Sequence, residues 1–352
     1  MNETAQAAGL NFDLTEEQSL LRETVRRFAE EEVAPRAMEM DRTATFDMSL
    51  WEQMKELGLT GVPISEEFGG AGMDGLSYIL TVEELARVCG STALTLAAHV
   101  SLGTYPIFAW GNDDQRRRFV PELASGEKLG SFGLTEPNAG SDSGGTQSRA
   151  VRKGDKYILN GTKVFITNAN IGHTFIVTAK TSDEPGSRGI SAFIVEKHYP
   201  GFRLGQKLDK LGTRGSDWAE LIFEDCEVPA ENLVGGEGEG FKLFMKTLDG
   251  GRISIGAMAL GLAQGAYERA LKYAQERETF GKPIAEHQAI GFKLADMAVE
   301  IAAARHLVYH AARLKDAGRP FGSEAAMAKL YASEVAMRVT SNAIQVPGWY
   351  GY

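Results

Sequence analysis

The chain has 352 residues, of which 43% are hydrophobic and 24% are charged, and its formal net charge at pH 7 is −10. This length and composition predict a soluble globular protein of two or three domains with ample apolar residues for their cores. The negative charge argues against a nucleic-acid binder, because phosphate contacts need a basic surface.

Two cysteines, Cys89 and Cys226, are too few for a disulfide framework and favour a reducing compartment. The opening MNETAQAAGL lacks the basic segment and apolar core of a secretory signal and the arginines of a transit peptide. No stretch reaches the roughly 18 consecutive apolar residues that a membrane span needs. We therefore expect a cytoplasmic bacterial protein, with the mitochondrial matrix as the alternative location.

Residues 1–128 predict an N-terminal helical domain. Thr15 and Gln18 fit a capping box, and Leu21, Val25 and Phe28 then recur at helical spacing. Further helices are predicted at 50–57, 76–88, 91–102 and 113–124.

Residues 129–234 predict a β domain, either a small barrel or two packed sheets. Short runs of β-branched and aromatic residues alternate there with turn signals. Asn160-Gly161 in YILNGTKVFIT favours the positive φ angles of a tight turn, so a β-hairpin is expected at that dipeptide. Further strands are expected in TFIVTAK, ISAFIVE and AELIFEDCEV.

Residues 235–352 predict an antiparallel helical bundle. Three long helical segments are expected at 241–275, 284–317 and 323–345, separated by the breaks ETFGKP and AGRPFG. Such bundles commonly have four helices, so the fourth is expected beyond Tyr352 and the bundle is read as truncated. The predicted fold class is therefore α+β, with a helical domain, a β domain and a helical bundle in that order.

The loop FGLTEPNAGSDSGG at 132–145 has the groups to hold a polar ring edge or a phosphate. Thr135 and Ser141 offer hydroxyls, and Gly140 and its neighbouring glycines let backbone amides approach a ligand. The alternative interpretation is a surface loop that joins two domains. The residues alone leave these two interpretations level.

The segment TLDGGRISIGA places two adjacent glycines inside a predicted helix. Each glycine costs roughly 1 kcal/mol relative to alanine, so some interaction should offset them. A ligand that needs a bare helix surface and close helix–helix packing are equally good explanations. Arg252 could face a carboxylate or phosphate, although most arginines are solvated or paired.

In ERETFGKPIAEHQAI, Arg277 and Thr279 stand at a helix end and His287 with Gln288 at the start of the next helix. Arg277 could bind a phosphate. A lone histidine is more often structural than catalytic, and none of its neighbours has metal-ligand spacing, so no metal site is predicted. The glycine-rich GGEGEGF does not match a dinucleotide-binding fingerprint. These residues predict loops for an anionic cofactor without naming a reaction.

Six stretches taken together resemble the acyl-CoA dehydrogenase family, most closely its short-chain, butyryl-CoA-type members. They follow the family's order through nearly the whole chain: EEFGGAGMD, FGLTEPNAGSD, ILNGTKVFITN, LDGGRISIGA, ERETFGKPIAEHQAI and FKLADM. The resemblance implies an FAD-dependent enzyme of fatty acid β-oxidation that converts an acyl-CoA to its trans-2-enoyl form. It further implies hydride transfer to flavin N5, electron transfer to an electron-transfer flavoprotein, and a homotetramer built as a dimer of dimers.

The resemblance also assigns cofactor-binding positions. In the flavin-binding loop from Phe132 to Ser141, Leu134 and Thr135 lie near the ring, and Gly140 belongs to the same loop. The strand that backs the flavin corresponds to Phe165, Ile166 and Thr167. The residues that reach the FAD of a neighbouring subunit correspond to Arg277, Thr279, Phe280, His287 and Gln288. A last FAD segment corresponds to Gln345 through Trp349. The acyl-CoA segment corresponds to Asp249, Gly250, Gly251 and Arg252, joined by Ser141.

The sequence departs from the family pattern in two places. Pro347 and Trp349 replace a phenylalanine and a glycine; the proline removes a backbone donor and the indole would crowd an adenosine, so weaker FAD binding is expected there. The family's catalytic glutamate is expected beyond Tyr352, and the position that carries the base in isovaleryl-CoA-type relatives is Gly251. No catalytic base is therefore assigned within the chain. We interpret the chain as a fragment of an active enzyme; the alternatives are an inactive homologue or scaffold that binds acyl-CoA and FAD, and a flavin oxidase.

Overall fold

Helices open the structure, a computed structural model that describes residues 13–351. Their bounds are α1 Glu16–Phe28, α2 Ala34–Thr43, α3 Met48–Glu56, α4 Gly75–Ala86, α5 Gly90–Ala97, α6 Tyr105–Trp110 and α7 Asp113–Ala124. The predicted capping box of α1 is confirmed: the Gln18 amide N–H donates to Thr15 Oγ1 over 3.1 Å, and the Thr15 N–H donates to Gln18 Oε1 over 3.0 Å.

Two wide-turned π-helical segments, Ala29–Val33 and Ala98–Thr104, continue α1 and α5 into the next helices. The helix predicted at 91–102 therefore includes a change of helical pitch after Ala97. Each such turn holds more residues than an α-turn and shifts the faces that follow it. This shift matters because Ala98, Ser101 and Leu102 line the cavity described below.

A β domain follows the first helices. Its strands are β1 Gly130–Gly133, β2 Arg149–Lys153, β3 Lys156–Thr167, β4 Thr174–Lys180, β5 Ile190–Glu196, β6 Phe202–Lys207, β7 Trp218–Pro229 and β8 Leu233–Val234. Seven of them are ordered β6-β7-β3-β2-β4-β5-β8, and β1 pairs with β4 in parallel. Strands β2 and β4 pair only at Arg149 and Lys180, so this narrow contact links the β6-β7-β3-β2 part of the sheet to the β4-β5-β8 part. Side chains from both parts share one apolar core.

The hairpin predicted at Asn160-Gly161 is wrong. Both residues lie within β3, and the turn that reverses the chain is Gly154-Asp155, between β2 and β3. The Asn160 side chain instead accepts a 2.8 Å hydrogen bond from the Asp225 N–H and donates one of 3.0 Å to its carboxylate, beside a register shift in the β3–β7 ladder. A Cβ atom on Gly161 would overlap the Ser148 hydroxyl, so glycine serves close strand approach there and not a turn.

Three long helices follow the β domain, α8 Gly240–Glu276, α9 Gln288–Asp316 and α10 Gly322–Gln345, and a short 3-10 turn at Gly348–Tyr350 comes after them. A two-stranded hairpin, β9 Glu278–Thr279 and β10 Lys282–Pro283, joins α8 to α9. Together the three parts confirm the predicted α+β class with its order of helical, β and helical regions. No helix within residues 13–351 combines the length and apolar character that crossing a bilayer requires.

Helix α8 packs against the N-terminal helices so closely that backbone meets backbone. A Cβ atom on Gly265 would overlap the carbonyl oxygen of Arg87, at the C-terminal end of α4. On the same side, the buried Glu83 of α4 accepts hydrogen bonds from Arg305 and Tyr309 of α9 over 3.0 and 2.7 Å. The N-terminal and C-terminal helices thus share one apolar core, and α8 is fixed against α4.

Candidate functional site

An apolar cavity of 220 Å³ opens where α5, α8 and α10 meet the end of β3. Its lining residues are Leu94, Ala97, Ala98, Ser101, Leu102, Thr167, Leu248, Gly251, Arg252, Ser254, Ile255 and Lys329. The cavity brings together two groups of predicted site residues, namely Thr167 from the predicted flavin-backing strand and Gly251 with Arg252 from the predicted acyl-CoA segment. None of the lining residues in the described chain carries a carboxylate.

Most polar groups of this cavity are already engaged. The Ser101 hydroxyl donates to the Ala97 carbonyl over 2.7 Å, and the Ser254 hydroxyl donates to the Gly251 carbonyl over 2.9 Å. The Arg252 guanidinium is paired with Asp249 one turn earlier on α8, and both side chains are partly exposed. The wall is therefore apolar, with positive charge from Arg252 and Lys329 at its edge.

The two adjacent glycines of α8 face different surroundings. Gly251 is buried on the cavity wall, and a Cβ atom there would lie 3.2 Å from Leu102 Cδ2. Gly250 lies outside the cavity, in a space of only 20 Å³, and a Cβ atom on it would lie 3.4 Å from Lys315 Nζ. The structure thus brings Gly251, but not Gly250, to the predicted acyl site.

The predicted flavin loop follows β1 and lies against β3. The Val164 N–H donates a 2.8 Å hydrogen bond to the Thr135 carbonyl, and Lys163 Nζ donates a 3.1 Å bond to the Leu134 carbonyl. The Phe132 ring stacks on Phe244 of α8, with centroids 4.1 Å apart, so this ring packs between domains. Gly140 and Ser141 are exposed further along the loop, where a Cβ atom on Gly140 would meet open space.

Two charged residues that were not predicted as site residues hold this loop. Lys163 and Glu136 form an ion pair of 2.7 Å, with side chains 0% and 4% exposed. Burial lowers the pKa of Lys163 to about 8, because desolvation outweighs the attraction of Glu136. Burial alone would raise the pKa of Glu136, but the charge and hydrogen bond of Lys163 keep that pKa below its ordinary value. The signal in the sequence was a lysine at an inward-facing strand position, beside apolar residues.

The three predicted flavin-backing residues differ in whether their side chains are accessible to a ligand. Phe165 has a φ of +62° and a ring 53% exposed, which stacks on Trp218 with centroids 5.0 Å apart. A positive φ is unusual for a bulky residue and marks a local constraint on the strand. The Ile166 side chain is buried in the β core, so only its backbone can reach a ligand. Thr167 lines the cavity.

A second cavity, of 310 Å³, lies where α8 ends, α9 begins and the chain leaves α10. Arg277, Thr279, His287 and Trp349 all line it, and the Thr279 hydroxyl lies 3.1 Å from His287 Nε2. The structure therefore brings these four predicted cofactor residues together. It does not bring them to the first cavity within one chain, because the two sets of lining residues share no member.

Three other predicted cofactor residues lie near the second cavity without lining it. Phe280 stands at the tip of the β9–β10 hairpin, 97% exposed, with a φ of +55° and its ring 5.9 Å from that of His287. Gln288 is the exposed first residue of α9, and Gln345 is the exposed last residue of α10.

These residues fit FAD at both ends. An exposed aromatic ring, the Thr135 and Thr167 side chains and loop amides suit the edge and face of an isoalloxazine ring. The Arg277 guanidinium and the N-terminal end of the 29-residue α9 suit phosphate oxygens, because unpaired amides and the helix dipole attract anions. Within residues 13–351 no group of three His, Cys, Asp or Glu side chains is placed to hold a metal ion.

Three family models match the chain in succession. The acyl-CoA dehydrogenase N-terminal domain matches residues 15–127, the middle domain matches residues 131–226, and the C-terminal domain matches residues 238–352.

The chain is also similar to named proteins along most of its length. It is 51% identical to a short-chain specific acyl-CoA dehydrogenase of Clostridium acetobutylicum, over 97% of this chain and 90% of that protein. The solved structure of butyryl-CoA dehydrogenase from Megasphaera elsdenii superposes with a TM-score of 0.95 at 48% identity, covering 97% of this chain and 91% of that one. A chain in a structure of the electron transferring flavoprotein of Acidaminococcus fermentans gives a TM-score of 0.96 at 52% identity, covering 97% and 90%.

Proposed function

This chain belongs to the acyl-CoA dehydrogenase family, and on that premise we propose that it uses FAD to oxidise short-chain acyl-CoA thioesters to trans-2-enoyl-CoA. Its class, an oxidoreductase of the acyl-CoA dehydrogenase type, follows from the identity with its named relatives. Butyryl-CoA is the proposed substrate, and branched short acyl groups remain within the proposal.

One observation carries the proposal: Thr167 and Gly251 line the same apolar cavity. This shared cavity supports the proposal, because transfer between a flavin and an acyl group requires the proposed flavin-backing strand and the proposed acyl site to lie side by side. The apolar lining of the 220 Å³ cavity suits an acyl chain. Gly251 contributes by leaving the helix surface bare at this wall.

The chain's own residues bind and orient in this proposal. Phe165, Thr167 and the 134–141 loop hold the ring of FAD, and Arg277, Thr279 and His287 hold its phosphates or adenylate from a neighbouring subunit. Asp249 holds the Arg252 side chain at the edge of the acyl site. When bound, FAD supplies a hydride acceptor at N5, and the apolar wall excludes water from the transfer.

Assembly and electron transfer are also part of the proposal. Helices α9 and α10 carry large apolar side chains that are more than half exposed in the single chain: Phe292, Val299, Met327, Leu330 and Met337. Surfaces of this kind are normally covered in symmetric oligomers, which supports a tetramer built as a dimer of dimers. We propose an electron-transfer flavoprotein as the electron acceptor, supported by the similar chain in the Acidaminococcus structure.

A second candidate function is binding of acyl-CoA and FAD without turnover. It is favoured by the cavity lining, in which the described residues offer no carboxylate to accept the α-proton. A cavity that binds a thioester beside a flavin but lacks a base would keep the binding reaction and lose the chemistry.

Reconstitution with FAD followed by anaerobic addition of butyryl-CoA separates these functions. Loss of the visible flavin absorbance, faster with butyryl-CoA than with a long-chain acyl-CoA, supports the dehydrogenase. Retained FAD and measurable butyryl-CoA binding without any bleaching supports the binding protein. Peroxide formation in air, without reduction of added electron-transfer flavoprotein, would identify a flavin oxidase instead.

A further inference from the structure

The loop after β1 has little regular structure of its own, yet a single buried side chain holds its beginning. Lys163 Nζ, on β3, donates hydrogen bonds to three acceptors: the Leu134 carbonyl at 3.1 Å, Glu136 Oε1 at 2.7 Å and Thr178 Oγ1 at 3.0 Å. An ammonium group has three N–H donors, so this arrangement satisfies all of them.

Glu136 extends this network across the loop. Its Oε2 accepts a 2.6 Å hydrogen bond from the Gln147 N–H, and both carboxylate oxygens lie 3.2 Å from the Ser148 N–H. Glu136 stands near the start of the loop, and Gln147 and Ser148 immediately precede β2. One carboxylate therefore joins the two ends of the loop to each other and, through Lys163, to the sheet.

This network also determines the position of a predicted cofactor contact. Thr135 lies between Leu134 and Glu136, which are both bound by Lys163, and its carbonyl accepts the hydrogen bond from the residue after Lys163. Packing alone would not require charge here, because replacing a buried ion pair by apolar residues is often neutral or stabilising. The pair adds direction instead, since Lys163 fixes the Leu134 carbonyl and Glu136 fixes the backbone amides of Gln147 and Ser148.

We propose that the Lys163–Glu136 ion pair is a positioning device for FAD, which sets the place of Thr135 and of the loop through Ser141 before the cofactor binds. This inference rests on the proposed function. It assigns no contact with FAD to either charged side chain, and both act through the loop backbone.

Three variants of the full chain separate positioning from folding. Glu136→Gln and Lys163→Met each leave one buried charge unpaired, so both should lower the thermal midpoint. The double variant Glu136→Gln with Lys163→Met removes both charges, and we expect it to recover most of that stability. It still lacks the donor to the Leu134 carbonyl, so the loop stays unfixed.

Glu196→Gln is the matched control. Glu196 is a buried glutamate of the same domain that pairs with Lys128 at 3.1 Å and accepts a 2.7 Å bond from Thr174. Glu196 is the last residue of β5 and pairs with Thr174 at the start of β4, whereas Thr178 lies towards the other end of β4, beside the loop. This variant should lose stability without changing cofactor binding.

The measurement is FAD affinity by titration, with the visible flavin circular dichroism as a signature of ring placement, at a temperature where every variant is folded. We expect each of the three test variants to raise the FAD Kd about tenfold or more, because FAD binding must then order a loop that the ion pair no longer fixes in advance, and to change the flavin spectrum. An FAD Kd within about twofold of the unmodified chain in the folded double variant would overturn the inference. Failure of the unmodified chain to bind FAD would instead contradict the proposed function.

Discussion

The backbone N–H of Gly130 donates a 2.9 Å hydrogen bond to Nδ1 of the buried His99. The other ring nitrogen, Nε2, lies 3.0 Å from the Leu123 carbonyl and donates to it, so the histidine is the neutral tautomer with its proton on Nε2. The contact joins the helical region to the first strand of the β domain. Burial lowers the pKa of His99 to about 4, since a charged ring there would lose its hydration.

Folding stability should therefore fall as the pH drops below the ordinary histidine value. Between about pH 6.5 and pH 4 the unfolded chain takes up a proton at His99 that the folded chain does not, which favours unfolding. The full effect is about 3 kcal/mol, reached near pH 4 and absent above about pH 7.5.

Urea denaturation across this pH range measures the effect. His99→Gln should remove most of the pH dependence, whereas His173→Gln, at a half-buried histidine whose pKa burial also lowers, should remove less of it. A stability that is flat from pH 7.5 to pH 4.5 would contradict the assignment of His99 as buried and neutral.

Alanine at the two adjacent glycines should have opposite consequences. Gly251→Ala adds a methyl group on the cavity wall, 3.2 Å from Leu102, and should lower kcat/KM for butyryl-CoA at least about tenfold. Gly250→Ala points away from the cavity and should raise helix stability by up to about 1 kcal/mol with little effect on turnover. Steady-state kinetics and thermal denaturation of the pair provide the check, and equal losses of activity would show that the cavity is not the acyl site.

Removing the guanidinium from the second cavity should weaken cofactor binding. We expect Arg277→Ala to raise the FAD Kd about tenfold, the usual loss for one charged hydrogen bond to phosphate. Arg269→Ala, at an exposed arginine of α8, the helix that ends just before Arg277, is the control and should leave the Kd unchanged. Isothermal titration of FAD into both variants measures the difference, and an unchanged Kd for Arg277→Ala would remove phosphate binding from this cavity.

The indole of Trp349 occupies the wall of that same cavity and is 87% exposed. If a bulky side chain crowds the adenylate, Trp349→Gly should lower the FAD Kd several-fold. The FAD titration provides the readout, with Tyr350→Phe as a neighbouring control that keeps the ring. Weaker binding in the glycine variant would mean that the indole stacks on the ligand.

Breaking the buried ion pair between α4 and α9 should lower the free energy of unfolding far more than breaking a surface pair between α9 and α10. Arg305→Ala leaves Glu83 buried without its charge partner and should cost about 3–5 kcal/mol of unfolding free energy. Arg338→Ala breaks an exposed 3.0 Å pair with Glu300 and should cost less than about 1 kcal/mol. Denaturant unfolding of both variants measures the ratio, and similar losses would show that Glu83 is not confined as described.

The long helices could be predicted from the sequence because apolar spacing extends over many turns. Predicted segments at 241–275 and 323–345 lie within one residue at each end of α8 and α10. The dipeptide Asn160-Gly161 alone could not show whether it forms a turn or part of a strand. The same two residues also suit a strand in which the asparagine side chain binds a neighbouring strand. That choice depends on Ser148 and Asp225, which reach the dipeptide only in the folded sheet.

The candidate site was predictable as a set of segments but not as an arrangement. Nothing in local spacing indicates that Thr167 and Gly251 share a cavity while Gly250 lies outside it, since this depends on how α8 is rotated against β3. The buried Lys163 was missed for a related reason: a lysine in a strand normally lies on the solvated face. Its burial becomes intelligible only once Glu136 and Thr178 are placed around it.

The contact of Gly265 with the Arg87 carbonyl reaches beyond its own neighbourhood. Both it and the cavity wall at Gly251 belong to one unbroken helix, so anything that lifts α8 from α4 also moves that wall. A single added methyl group at position 265, remote from the chemistry, should therefore alter substrate preference as readily as it alters melting temperature. New acyl-chain selectivity could therefore evolve in this fold through substitutions outside the cavity, at the contact between α8 and α4.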